Sequence, residues 1–122
     1  MKIVDHIFAW VLILGAILHG IGSFIGYRSE PVTLLWAESA SALALLIAAL
    51  NLLRAQRPAD RPVAWMAFAG SLFWAAAAFT FDKLIGHPLD ARGLIHGIAA
   101  LVLAGFSLKA ALSTEQAAAE VS

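Results

Sequence analysis

Four long apolar runs, parted by three short polar stretches, make up nearly the whole chain. They cover residues 7–27, 32–53, 63–81 and 93–112, and a polar tail follows at 113–122. The second run holds a single charge, Glu38, and the fourth has Lys109 near its end. Each run is close to the ~20 residues that carry a helix across a hydrocarbon core about 30 Å thick. Barrel strands would alternate apolar and polar positions, which these runs do not. A helix also satisfies its own backbone hydrogen bonds where lipid offers none. Four transmembrane helices are therefore predicted.

The punctuation agrees. Arg28-Ser29-Glu30-Pro31 separates the first two runs, and Pro31 suits the first turn of a helix but not its interior. The stretch 54–62 carries three Arg, one Asp and two Pro and reads as a loop. The stretch 82–92 contains Gly86 and Pro88, with Asp90 placed to cap the fourth helix. Loops this short make successive helices antiparallel neighbours. The expected fold is an all-α, integral membrane, antiparallel four-helix bundle forming one domain over 1–122.

Composition strengthens this picture. Hydrophobic residues make up 61% of the chain and charged residues 13%. Soluble domains average about 45–50% and roughly 25%. Lipid rather than water is thus expected to cover most of the surface. The net charge is zero and there is no basic stripe, so no nucleic-acid partner is expected. The absence of cysteine excludes disulfides, thiolate metal sites, iron–sulfur clusters and cysteine nucleophiles. Abundant Ala, and Arg in preference to Lys, fit a bacterial inner-membrane protein. Asp5, the unbroken run to Tyr27 and the lack of a clear A-x-A site favour an uncleaved first helix over a signal peptide.

Four spans place both termini and the 54–62 loop on one side. That side holds Lys2, Arg54, Arg57, Arg61 and Lys109, against Arg28, Lys83 and Arg92 on the other. The positive-inside rule then puts both termini in the cytoplasm. The three arginines of the central loop are read as topology signals, with anionic lipid a secondary contact. Trp10, Trp36 and Trp65 fall near helix starts, where an interfacial aromatic belt belongs. Trp74 falls mid-helix and is assigned to packing inside the bundle. Small residues mark close approach, within the bundle or between copies. They are Gly22 with Gly26, then Ala40, Ala44 and Ala48, then Ala67, Ser71 and Ala75.

Three ionisable residues sit inside the runs: His19, Glu38 and His96. At 1.5 Å per residue they lie roughly 12, 9 and 5 Å from the extracytoplasmic ends of their helices. The three therefore form one candidate polar intramembrane site. Asp82 and Lys83 close the third helix on the same side, and Ser23, Ser39, Ser41 and Thr80 add hydroxyls nearby. Intramembrane ionisable groups usually face the bundle interior and pair, so Glu38 is expected to face inward through Ser41, Ala42 and Leu45. His19 in ILHGIG and His96 in LIHGIA share a following glycine, which on antiparallel helices would open space beside facing imidazoles. His6 and His87 flank helices and are read as solvated.

Two histidines and a carboxylate match a known divalent-metal shell, and paired histidines match haem ligation. The bland alternative is a hydrogen-bonded triad that fixes helix register. Soluble-enzyme signatures are missing: there is no Walker loop, dinucleotide fingerprint, H-E-x-x-H or G-x-S-x-G. A non-enzymatic scaffold or accessory protein acting through helix packing is the leading expectation. It would sit in the bilayer with a second copy or another membrane protein as partner. The alternatives are a small oligomeric transporter or channel subunit with Glu38 as its protonatable site, and a haem- or metal-binding bundle built on His19 and His96.

Overall fold

The computed structural model describes the backbone of residues 2–121 and the side chains of residues 2–113. Four helices follow one another: α1 (Lys2–Tyr27), α2 (Pro31–Gln56), α3 (Arg61–Leu84) and α4 (Ala91–Val121). Their connections are three, four and six residues long, so neighbours run antiparallel. Proline opens α2 and α3 at Pro31 and Pro62. Asp60 caps α3 by accepting from the Val63 N–H at 3.2 Å, and Asp90 accepts from the Arg92 N–H at 2.9 Å to cap α4. Gly86, at φ +75°, supplies the left-handed residue in the α3–α4 turn.

The helices outrun the apolar runs at both ends. Arg54 is not a loop residue: α2 continues to Gln56, because the Arg54 charge is neutralised inside the bundle by Asp5. The polar tail extends the last helix, since α4 continues through Val121.

The ring order is α1–α2–α3–α4, with α4 closing against α1, and the two hairpins α1–α2 and α3–α4 pack most extensively. The interior is built mainly from alanine: Ala9, Ala16, Ala44, Ala48, Ala67, Ala75, Ala99, Ala100 and Ala111 are buried, and Leu12, Ile47 and Leu103 fill the centre. The large side chains point out, with Phe24, Ile25, Leu35, Leu46, Met66 and Phe73 all exposed. Water would favour the reverse, because burying a large apolar side chain yields about 1.5–3 kcal/mol. In lipid that drive vanishes, and small residues are selected inside because they let helices approach. Length, composition and this inverted distribution define a small polytopic membrane protein with four candidate spans.

Two packing expectations change. Gly22 and Gly26 are exposed, and nothing lies within 4 Å of where a Cβ would stand on either. Their small surface faces away from the bundle. On α2 the buried stripe is Ser41, Ala44, Ile47, Ala48, Asn51 and Arg54, whereas Ala42 is exposed. The Glu38 face therefore turns toward Ser41 and not toward Ala42.

Candidate functional site

Polar side chains gather in two layers separated by the Leu12–Ile47–Leu103 apolar centre. One layer lies at the end holding the N-terminus and the α2–α3 turn. Arg54 donates two hydrogen bonds to Asp5, at 2.8 Å to Oδ2 and 2.5 Å to Oδ1. The fork geometry of a guanidinium matches a carboxylate in this way. Both residues are buried. Arg54 also reaches Asn51 Oδ1 at 3.4 Å. Asn51 is the hub: its Nδ2 donates to the Ile47 carbonyl at 2.9 Å and to Ser71 Oγ at 2.8 Å. Ser107 Oγ donates to Asn51 Oδ1 at 2.9 Å. Two donors and two acceptor positions of one amide are thereby filled, and α2 is tied to α3 and α4 directly and to α1 through Arg54. From sequence, Asp5 served only to argue against a signal peptide, Asn51 and Ser107 were passed over, and Arg54 was assigned to topology. A signal was present, because Asn51 and Arg54 continue the small-residue stripe of α2 at helical spacing.

The second layer lies toward the α1–α2 and α3–α4 turns and contains the three residues singled out from sequence. His19 Nδ1 and Ser41 Oγ are 2.8 Å apart, joining α1 to α2. The His19 and His96 rings meet edge to face with centroids 6.3 Å apart. Trp74 Nε1 donates to His96 Nδ1 at 3.2 Å, joining α3 to α4. Gly15 makes room for His96, since a Cβ there would stand 2.8 Å from its Nε2. Glu38 lies on the α1 side of α2, with Oε2 3.2 Å from where a Gly20 Cβ would stand. Its Oε1 is buried with no hydrogen-bond partner among the described residues. The glycines that follow the two histidines thus serve other side chains: Gly20 accommodates Glu38, and Gly97 accommodates Phe79. Of the four nearby hydroxyls, Ser23 and Ser41 are buried, whereas Ser39 and Thr80 face outward.

Asp82 is the unexpected member. It is fully buried, and neither carboxylate oxygen has a hydrogen-bond partner among the described residues. It rests against Gly93, where any Cβ would collide with it. This places the carboxylate in the first turn of α4, where the helix dipole favours negative charge. Outside the membrane the Arg92 side chain and backbone N–H hold the Asp90 carboxyl at about 2, below its ordinary 3.8. His87 is exposed, and His6 is half-buried with Nδ1 donating to the Lys2 carbonyl at 2.7 Å.

Among the described residues no group of three or more His, Asp or Glu is arranged to hold a metal ion. Two surface hollows lie outside the layers: a groove of about 590 Å³ along α1 between Lys2 and Leu14, and one of about 460 Å³ at His87–Ala91. Comparison with known proteins finds no matching family model, no similar curated protein and no similar solved structure.

Proposed function

We propose that this small polytopic membrane protein is a non-enzymatic scaffold or accessory protein that acts through helix packing. The observation that carries the reading is the Asn51 hub, whose hydrogen bonds are spent on the protein's own side chains across the bundle. Such a network fixes which helix faces which, the best-attested use of buried polar groups. The outward-facing Gly22 and Gly26 supply a small surface on which a helix of a second copy or of another membrane protein can lie close.

A small proton-transporting subunit is the second reading. It is favoured by carboxylate oxygens of Glu38 and Asp82 that have no hydrogen-bond partner among the described residues. Haem or metal ligation fits this geometry less well. Trp74 is a donor only, so it leaves Nδ1 of His96 without a proton. A metal on Nε2 would then require an imidazolate and would have to displace the ring from Gly15.

Reconstitution in liposomes separates the first two readings. A scaffold should leave an imposed pH gradient intact, and Glu38→Gln should change nothing. A proton leak abolished by Glu38→Gln would overturn the scaffold reading. The chain has no cysteine, so Gly22→Cys provides a single crosslinking site. The scaffold reading expects it to capture a second copy or a membrane-protein partner in native membranes.

A further inference from the structure

We infer that the outer histidine pair is chemically divided: His19 is a proton-accepting base whose proton goes on Nε2, in the layer that holds Glu38, and His96 is locked as a neutral donor. The argument counts hydrogens. Ser41 has one hydroxyl proton, and it is directed at the Ala37 carbonyl, 3.2 Å away. The 2.8 Å bond between Ser41 Oγ and His19 Nδ1 is therefore donated by the ring. That fixes His19 as the Nδ1–H tautomer and leaves Nε2 with a free lone pair. A proton arriving at Nε2 breaks none of the existing bonds.

His96 is the opposite case. The Trp74 indole N–H can only donate, so Nδ1 of His96 accepts and the ring proton sits on Nε2, against Gly15. Charging His96 would put a second proton on Nδ1 and break the Trp74 bond. Burial points the same way, since His19 is half-buried and reachable whereas His96 is only 9% exposed.

Charges of both signs surround His19. From α2, Glu38 lies beside Gly20, the residue after His19, and Ser41 holds Nδ1. From α4, His96 faces the ring edge-on, and the Arg92 charge opposes a cation on His19 while Glu38 favours one. From α3, Trp74 reaches the layer through His96, and Asp82 lies over Gly93, one turn from His96. With Glu38 ionised, uptake of one proton converts a net charge of −1 into a neutral imidazolium–carboxylate pair. The buried Oε1 of Glu38, without a hydrogen-bond partner among the described residues, then gains a countercharge. The ligand of the site is a proton.

Nitrogen-15 NMR of histidine-labelled protein in nanodiscs tests this, with signals assigned by single His→Gln variants. In the neutral state His19 should show the Nδ1–H pattern and His96 the Nε2–H pattern. On acidification His19 should become imidazolium while His96 keeps its neutral pattern and its bond to Trp74. In Glu38→Gln, imidazolium should form at His19 only at lower pH than in the wild type, because a nearby negative charge is lost. Glu30→Gln, at the exposed helix start, should leave the transition in place. An Nε2–H pattern at His19, charging of His96 first, or indifference to Glu38→Gln would overturn the assignment. The tautomers are read on the wild type, so the test does not depend on any variant folding.

Discussion

Asp5 and Arg54 are the residues whose loss the fold should feel most. Each is buried and each is the other's main partner. Asp5→Ala would strand a buried guanidinium, a change that costs roughly 3–5 kcal/mol where a buried pair is broken. Replacing both residues by leucine removes both charges together and should restore much of that loss. Unfolding by titration with a denaturing detergent measures the cycle. A double variant as unstable as the sum of the single ones would show that the pair contributes nothing by its pairing. At this scale the sequence revealed the unusual residues His19, Glu38 and His96, because a charge in an apolar run stands out. It named Ser41 as a nearby hydroxyl and Trp74 as a packing residue without their hydrogen-bond partners, and it missed Asn51, whose type is ordinary in such runs and whose importance lies in what it faces.

At the scale of elements, the molecule is two hairpins. Within them run the Asp5–Arg54 pair, the His19–Ser41 bond and the Trp74–His96 bond. Between them run the Asn51 bonds to Ser71 and Ser107 at one end, and the His19–His96 contact at the other. Helix ends are set by local chemistry, and Asp90 gives this a pH signature. Its carboxyl is held at about 2 in the folded protein, against an ordinary 3.8. A depressed carboxyl stabilises the fold above its unfolded value, and the contribution fades as pH falls from 3.8 through about 2. Asp90→Ala should therefore lower stability at about pH 6 and approach the wild type only as pH falls below about 2. A stability gap that does not narrow on acidification would remove the cap from this role. The carboxyl lies at the surface beside the exposed Arg92 and is open to solvent screening, so the effect should be small.

For the whole molecule, orientation is the open quantity. The Lys and Arg count stands at five to three in favour of the side that holds the termini and the α2–α3 turn. Arg54 is one of the five, and it is buried and neutralised by Asp5. Its weight as a topology signal after folding is small, although insertion precedes that pairing. Reporter fusions after Ser122 and within the 85–90 turn should place the termini in the cytoplasm and the turn outside. An extracytoplasmic signal at Ser122 would reverse the assignment. In that case the His19–His96 layer would face the cytoplasm, and its proton would come from there.

Helix number, type and approximate span followed from the sequence alone, because a bilayer demands about 20 apolar residues per crossing and an internally bonded backbone. The antiparallel order followed from short loops. Depth along a helix is simple arithmetic, so His19, Glu38 and His96 could be assigned similar depths from sequence. Sequence left undecided which faces meet. Lipid-facing and buried positions are both apolar here, so hydrophobic periodicity carries little of the information that it carries in water. Tertiary packing turned Gly22 and Gly26 outward and used Gly15, Gly20 and Gly93 for close contacts instead. It brought Arg54 inside to Asp5, and it gave Asn51 partners 20 and 56 residues away in the chain. Those partners follow from helix rotation about the axis, which residue order leaves free and which side-chain geometry among all four helices determines.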